Sequence, residues 1–259
     1  MKAVFLSDVH LKHTADERYT LIMEFFSKLL DGKVRSLVDD EAAGQGQTAI
    51  DHLFILGDFF DFWFCTPDRI YPQFQPVINK LIEISKSGVS IHFCEGNHDF
   101  FMKEYFQDIL GMNVYEQWAT IELDRLRMLI SHGDTVDSSD RSYLLFRKFL
   151  RSRFFYLLQG VIPARLRWFL ASTTSNASKR LNDGQSDYLA EKMQAFATKK
   201  LSGDYDAVIM GHCHKPLLRY FDAGGRKKTF IALGDWITYH SFVYYENRRF
   251  YMSCYKGQG

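Results

Sequence analysis

Five short apolar runs in this 259-residue sequence each end in side chains that can bind metal, and few folds accommodate such a pattern. The runs read AVFLS, HLFIL, SIHFCE, MLIS and AVIM. A short apolar run bounded by turn residues predicts a buried β-strand. The segments that follow the runs are Asp8-Val9-His10, Gly57-Asp58, Gly96-Asn97-His98-Asp99, His132-Gly133-Asp134 and Gly211-His212-Cys213-His214. Because open α/β folds bind ligands at the carboxyl ends of their strands, we expect these segments to converge at one edge.

The donor atoms of these segments are carboxylate and amide oxygens and imidazole nitrogens. This donor set suits Mn, Fe, Zn or Co better than calcium. One segment alone is weak evidence, since Gly-Asn is common in turns and a lone buried histidine is usually a core residue. A carboxylate can bridge two ions, and two ions about 3.5–4 Å apart can clamp both oxygens of a phosphoryl displacement. The five segments together predict a site for two divalent ions, for which Mn, Fe, Co and Zn all remain open at this point.

Strand and helix patterns alternate over the first hundred residues, and strand patterns dominate later. Apolar residues at helical spacing predict helices over Glu17–Leu30 and Tyr71–Lys86. Later apolar runs predict strands over Thr120–Leu123, Leu126–Ser131, Val208–Met210, Thr229–Leu233, Ser241–Tyr245 and Arg249–Tyr255. This order favours an α/β sandwich with two central sheets. We predict a core formed by residues 1–134 and 201–259, interrupted by a helical insertion over residues 135–200.

Charge is unevenly distributed along the chain, although the net charge is only +1. Residues 141–182 contain nine basic and no acidic residues, interleaved with large aliphatic and aromatic side chains. A basic segment of this kind predicts an anionic partner. The basic, aromatic composition would also suit an anionic membrane surface. The alternative is an amphipathic helical hairpin that packs on the core and leaves a solvated basic face.

The series DVH, GDFFD, GNHD, HGD and GHCH resembles the calcineurin-like metallophosphoesterase superfamily over nearly the whole chain outside the insertion. The resemblance implies a four-layer αββα sandwich with a helical lid. It implies that one ion is held by Asp8, His10, Asp58 and His214. The second ion would be held by Asp58, Asn97, His132 and His212, with Asp58 as the bridge. His98 would stabilise phosphoryl charge or protonate the leaving oxygen, and Asp99 would orient His98.

Two further stretches resemble the UDP-2,3-diacylglucosamine hydrolase family of lipid A biosynthesis: HGDTVDSSDRSYLLFRKFLR from His132, and LGDW at Leu233–Trp236. That family cleaves the pyrophosphate of its substrate to UMP and 2,3-diacylglucosamine 1-phosphate. The resemblance implies substrate contacts from Asp140, Tyr143, Phe146 and Arg147. Arg151, Arg153 and Lys179 are further candidates for the phosphate. The chain departs from the best-known branch by reading GNHD instead of GNRD and TVDSS without the usual Cys-Thr.

Competing functions share the same metal site. A phosphodiesterase or phosphatase acting on another nucleotide or anionic lipid would use the same ions without needing the apolar insertion. A nuclease is disfavoured because the basic residues alternate with large aliphatic ones, so we expect no polymeric nucleic acid as partner. A non-catalytic scaffold is disfavoured because all seven predicted ligands are present.

The location of the protein is also predicted from apolar runs. The most apolar stretch is about half of the ~20 residues that a membrane-spanning helix needs. The N-terminal run, which ends at Asp8, is too short for a signal peptide. We therefore expect a cytoplasmic protein. The family resemblance implies an acylated UDP-sugar lipid as substrate and a position peripheral to the inner membrane, and we expect a monomer.

Overall fold

The computed structural model describes residues 1–38, 49–63, 65–161 and 183–257. Its strands are β1 (Lys2–Leu6), β2 (His52–Leu56), β3 (Ser90–Cys94), β4 (Asn113–Tyr115), β5 (Ala119–Leu123), β6 (Leu126–Ser131), β7 (Ala207–Met210), β8 (Pro216–Ala223), β9 (Arg226–Leu233), β10 (Ser241–Glu246) and β11 (Arg249–Cys254). Its α-helices are α1 (Glu17–Leu30), α2 (Gln75–Lys86), α3 (Arg141–Leu150), α4 (Arg153–Val161) and α5 (Asp183–Leu201). A six-stranded sheet has the order β11-β10-β1-β2-β3-β4, and a five-stranded sheet has the order β5-β6-β7-β9-β8.

The first sheet is built around the parallel strands β1, β2 and β3. Their register pairs Ala3 with His52 and His52 with Ser90. The last four residues of each strand are buried, which explains why these strands read as continuous apolar runs. Because the three strands are parallel and in register, their carboxyl ends lie side by side at one edge of the sheet.

Four layers result from the burial of apolar faces on both sides of each sheet. Helices α1 and α2 cover the outer face of the first sheet, where Phe25 and Leu81 are fully buried. Between the sheets, Phe5 stacks on Phe54 with ring centroids 4.5 Å apart. Helix α5 covers the outer face of the second sheet through residues that include Met193. The predicted αββα sandwich is confirmed.

Helices α3 and α4 lie outside these layers, whereas α5 forms one of them. Helix α3 buries none of its residues, and its exposed side chains include Leu145 and Phe146. The predicted insertion at residues 135–200 therefore ends in a helix that packs on the second sheet. The division of the chain at these residues stays a prediction. Among the helices of the described ranges, none is long and apolar enough to cross a membrane.

The sequence patterns missed β4, β8 and a π-helical turn over Lys103–Ile109. Strand β8 lies at the edge of its sheet with a mixed burial pattern, so it lacks the continuous apolar run of the central strands. The second predicted helix starts later than expected. A 3₁₀ turn over Pro72–Phe74 precedes α2, and Tyr71, the residue before Pro72, is extended as the proline ring requires.

Candidate metal centre

The ligand-bearing segments follow five strands at the same end of the two sheets. Asp8, Asp58 and Asn97 follow β1, β2 and β3 of the first sheet. In the second sheet His132 follows β6, and His212 and His214 follow the parallel neighbour β7. The structure therefore brings the seven predicted ligands into one cluster, on the boundary between the two sheets.

The backbone of this cluster is held in an uncommon conformation. Five of the seven predicted ligands have positive φ angles: Asp8 (55°), His10 (50°), Asp58 (52°), His212 (68°) and His214 (56°). A non-glycine residue in this region costs on the order of 1 kcal/mol or more, and such residues concentrate at functional sites. The turns direct side chains from the ends of buried strands toward a common point.

Asp8, His10 and His214 form the first group of donors. Nε2 of His214 lies 3.4 Å from Oδ1 of Asp8, and Nε2 of His10 lies 4.0 Å from the same oxygen. Nε2 of His10 is also 3.7 Å from Oδ2 of Asp58. Ligand atoms of Asp8, His10 and His214 all lie within 4.8 Å of one another, as the ligands of a single ion must.

A second group of donors, which includes Asp58, Asn97, His132 and His212, lies next to the first. Nε2 of His132 lies 3.5 Å from Oδ2 of Asp58 and 3.1 Å from Oδ1 of Asn97. The ring of His212 packs edge-on against that of His132, with centroids 5.0 Å apart. Oδ2 of Asp58 thus lies between His10 on one side and His132 on the other, which is the position of a bridging carboxylate.

The polar atoms of this cluster fit a bound cation. Within the described residues, Oδ1 of Asp8 and Nε2 of His10 are buried and have no hydrogen-bond partner. Leaving such buried groups unpaired is costly. Burial opposes protonation of His132, but the charges of Asp58 and Asp8 outweigh burial and raise its pKa to about 10. The same negative charge that would hold this proton would stabilise a divalent ion, and metal binding displaces protons from its ligands.

Two glycines allow the ligand loops to approach each other. A Cβ atom on Gly211 would lie 2.6 Å from Oδ2 of Asp8. A Cβ atom on Gly96 would overlap Oδ1 of Asp58. Both positions therefore exclude any larger residue, which explains the glycine before Asn97 and before His212.

His98 lies beside the cluster with a defined tautomer. Its Nδ1 is 2.7 Å from the carbonyl oxygen of Asp61, and because a carbonyl can only accept, Nδ1 carries the hydrogen. Its Nε2 lies 4.0 Å from Oδ2 of Asp58. The backbone N–H of His98 donates to Oδ1 of Asp58 at 2.9 Å. His98 is therefore placed to act on a group that reaches the metal cluster.

Asp99 has a different role from the one predicted. Its carboxylate accepts hydrogen bonds from the backbone N–H groups of Gly96 and of three consecutive residues, Asp58, Phe59 and Phe60. It therefore stabilises the loop that carries Asp58. The expectation that Asp99 orients the imidazole of His98 is corrected, because the orienting contact comes from Asp61.

Asp61 is a site residue that sequence reasoning missed. Its side chain is fully buried, and Oδ1 lies 3.7 Å from Nδ1 of His10. One residue thus contacts a predicted ligand through its carboxylate and His98 through its carbonyl. The signal was present in GDFFD, where Asp61 stands three residues after Asp58, but the spacing alone does not show which groups it contacts.

Three predicted substrate-binding residues, two in α3 and one at its C-cap, form hydrogen bonds or ion pairs with other residues of the protein. Oδ2 of Asp134 accepts hydrogen bonds from Oη of Tyr143 at 2.8 Å and from Nε of Arg147 at 2.5 Å. Arg151 forms an ion pair with Glu95 at 2.5 Å, and its Nη2 donates to the carbonyl of Gly96 at 2.7 Å. Since Tyr143, Arg147 and Arg151 are four residues apart, one face of α3 is fixed to the loops that carry the predicted ligands.

The other predicted substrate contacts are placed differently. Asp140 caps the N-terminus of α3 by accepting from the N–H of Tyr143 at 2.9 Å. Phe146 and Arg153 are exposed on the helices. Lys179 lies outside the described residues.

A cavity of about 340 Å³ lies over the metal cluster. Its floor includes Asp58, Asn97 and His98, and its helical wall includes Tyr143 of α3 and Leu189 of α5. The cavity therefore joins a polar, metal-binding floor to helices that carry apolar surface.

Comparison with known proteins is consistent with this geometry. A model of the calcineurin-like phosphoesterase family matches residues 1–216, which include all seven predicted ligands. The chain belongs to the calcineurin-like phosphoesterase family. Membership in this family, together with candidate ligand clusters such as Asp8, His10 and His214 and Asp8, Asp58 and His132, identifies the chain as a metal-dependent hydrolase with a site for two divalent ions.

Three related proteins carry the same functional name. A UDP-2,3-diacylglucosamine hydrolase of Neisseria meningitidis serogroup B is 29% identical over 242 residues, 90% of this chain and 89% of that protein. The protein of the same name from Proteus mirabilis is 31% identical over 187 residues, 72% of this chain and 78% of that protein. That from Vibrio parahaemolyticus is 28% identical over 244 residues, 94% of this chain and 93% of that protein. The resemblance of this calcineurin-like phosphoesterase to that family is confirmed.

Proposed function

We propose that the protein hydrolyses the pyrophosphate of UDP-2,3-diacylglucosamine to UMP and 2,3-diacylglucosamine 1-phosphate, in lipid A biosynthesis. The observation that carries this function is the similarity to UDP-2,3-diacylglucosamine hydrolases, which extends over about nine tenths of both chains for two of the three relatives. The cavity supports it, because a pyrophosphate would meet the polar floor while acyl chains would meet the helical wall.

The proposed metal is Mn²⁺, with one ion held by Asp8, His10, Asp58 and His214. The other is held by Asp58, Asn97, His132 and His212. The carboxylate, amide and imidazole donors suit Mn²⁺, although Fe, Co and Zn accept the same set. When bound, the ions neutralise charge on the phosphoryl group and lower the pKa of water.

His98 acts on the substrate through Nε2. Its Nδ1–H is held by the carbonyl of Asp61, so the ring presents Nε2 toward the side of Asp58 and the cavity. A protonated Nε2 donates a hydrogen bond to a phosphoryl oxygen and can transfer its proton to the leaving oxygen. This role keeps His98 apart from the metal ligands, and its removal should leave the metal content unchanged.

Helices α3 and α4 form a lid that contacts the acyl chains and the membrane. Their exposed apolar side chains are Leu145, Phe146, Phe149, Phe154 and Leu157. Exposed basic residues, Arg141, Lys148 and Arg153, lie on the same two helices. This combination suits an anionic lipid surface. Because Arg147 and Arg151 are paired with carboxylates, we assign the first phosphate contacts of the lid to the exposed bases.

The experiment is to incubate the purified protein with Mn²⁺ and UDP-2,3-diacylglucosamine in detergent and to detect the products by mass spectrometry. Release of both UMP and the lipid phosphate is the expected result. Asp58→Ala serves as the inactive control, and a UDP-sugar without acyl chains tests the need for the lipid. Turnover of a generic phosphodiester but not of the lipid would refute the substrate and favour another nucleotide or anionic lipid.

A further inference from the structure

Asp235 contacts the predicted ligand His214 from the side opposite the metal cluster. It belongs to the LGDW stretch that follows β9, and it is 3% exposed. Its Oδ2 lies 3.1 Å from Nδ1 of His214, while Nε2 of His214 faces Oδ1 of Asp8 at 3.4 Å. The imidazole of His214 is therefore held between two carboxylates, of which Asp8 belongs to the metal cluster and Asp235 does not.

The orientation of the Asp235 carboxylate is fixed by the backbone. Its Oδ1 accepts hydrogen bonds from the N–H groups of Ile237, Thr238 and Tyr239 at 3.2, 2.7 and 3.1 Å. Only Oδ2 is then directed at His214. The next residue along the chain, Trp236, donates its N–H to the carbonyl of Asp8 at 3.0 Å. One short segment thus holds two predicted ligands of the same ion.

His214 differs in this respect from His98 and His132, whose Nδ1 atoms face main-chain carbonyl groups. Nδ1 of His98 faces the carbonyl of Asp61, and Nδ1 of His132 faces the carbonyl of Leu56 at 2.9 Å. Those acceptors are main-chain carbonyl groups, which remain present when the side chain of the same residue is substituted. The acceptor for His214 is a side chain, so a single substitution can change the tautomer of this histidine.

We propose that Asp235 is a positioning residue that fixes His214 as the Nδ1–H tautomer and so reserves Nε2 for a metal ion. A carboxylate without a proton can only accept, and Nδ1 must therefore carry the hydrogen. Partners of this kind orient metal-binding histidines and raise their basicity. Asp235 itself touches neither metal nor substrate. The proposal rests on the assignment of His214 as a ligand in the proposed function.

The variant Asp235→Asn tests this role because it preserves shape and changes one hydrogen bond. The three backbone N–H groups retain the amide oxygen, so the amide NH₂ faces Nδ1 of His214. An NH₂ group donates, which stabilises the tautomer with hydrogen on Nε2 and blocks metal binding there. We expect the affinity for one of the two ions to fall about 10–100-fold, with the other ion retained. Titration with Mn²⁺, followed by electron paramagnetic resonance, measures the affinity of the variant for each of the two ions.

Two control variants distinguish an error in the proposed role of Asp235 from an error in the assignment of His214 as a metal ligand. Asp206→Asn removes a carboxylate that accepts from the N–H of Arg127 far from the cluster, and it should bind both ions normally. His214→Ala should lose the same ion as Asp235→Asn. If His214→Ala keeps both ions at full affinity, the ligand assignment in the proposed function is wrong. If His214→Ala loses an ion and Asp235→Asn does not, the proposal for Asp235 is wrong and the ligand assignment stands.

A second readout does not depend on metal or activity. Long-range ¹H–¹⁵N spectra of the metal-free protein, recorded at a pH above the observed titration of His214, report which ring nitrogen carries hydrogen. The signal of His214 is assigned by its loss in His214→Ala. We expect Nδ1–H in the natural protein and Nε2–H in Asp235→Asn. Should that variant fail to fold, Asp235→Ser is expected to give mixed tautomers, and an unchanged Nδ1–H spectrum in either variant would overturn the proposal.

Discussion

Replacement of Arg151 by Met removes the charge that connects the end of α3 to a ligand loop. In the folded protein, the side chain of Glu95 is 2% exposed and that of Arg151 is 13% exposed, with 2.5 Å between Nη1 and Oε2. Nη2 also donates to the carbonyl of Gly96, the residue before Asn97. The guanidinium packs over the ring of Phe100, 5.2 Å from its centroid. Methionine keeps an apolar stem of similar reach and lacks the charge.

The expected loss of unfolding free energy follows from the partner that is left behind. Breaking a buried ion pair on one side costs about 3–5 kcal/mol, because the remaining charge is desolvated without compensation. Glu95 keeps one hydrogen bond, from the N–H of Met102 to Oε1 at 2.8 Å, so we expect a value near the lower end, about 3 kcal/mol. Urea denaturation followed by tryptophan fluorescence measures this loss of unfolding free energy. All variants are compared at one pH and without added metal.

The double variant Arg151→Met with Glu95→Gln separates charge from packing. It removes the buried charge as well, so it should recover more than half of the loss. Arg153→Met is the matched control, since Arg153 is exposed two residues along the chain and should change stability by less than about 0.5 kcal/mol. Equal losses for Arg151→Met and Arg153→Met, or no recovery in the double variant, would refute this account of how α3 is held.

Three further predictions follow from the site and the fold. Asp58→Ala should abolish hydrolysis and the tight binding of one ion, measured by product release and metal titration, and full activity would contradict a bridging role. His98→Ala should lower kcat by about 10²–10⁴-fold with metal content unchanged, and loss of metal would mean that His98 is a ligand instead. Burial lowers the pKa of His92 to about 4, so its contribution to stability is present above about pH 6.5 and is lost as the pH falls toward 4. His92→Gln should therefore lose less unfolding free energy than the natural protein between those pH values, by at most about 3 kcal/mol, and identical losses would contradict the assignment.

The fold and the ligand cluster were predicted because both depend on local sequence. Strands β1, β2 and β3 are covered on both faces, and that burial appears as an apolar run ended by a polar residue. Strand β8 was missed because an edge strand carries no such run. The ligand residues followed from their place after each strand and from the family resemblance, without knowledge of the distances between them.

The roles of residues around the cluster could not be predicted in the same way. Asp99 was expected to contact its neighbour His98, but its carboxylate instead accepts from backbone groups about 40 residues away in sequence. Arg151 was expected to face the substrate, but it faces Glu95 of a different loop. A sequence shows the chemistry of a side chain, whereas its partner depends on which segment the fold places beside it.

By itself, the sequence determined the buried central strands, the donor types available for a metal cluster and the family of the enzyme, because periodicity and ligand chemistry are properties of short segments. Only the tertiary structure decided which acceptor faces each imidazole, such as Asp235 at His214 and the Asp61 carbonyl at His98. It also decided that α3 is held to the ligand loops by Asp134 and Glu95. The physical reason is that a hydrogen bond requires two groups within about 3 Å of each other, and chain folding alone sets that distance for residues remote in sequence.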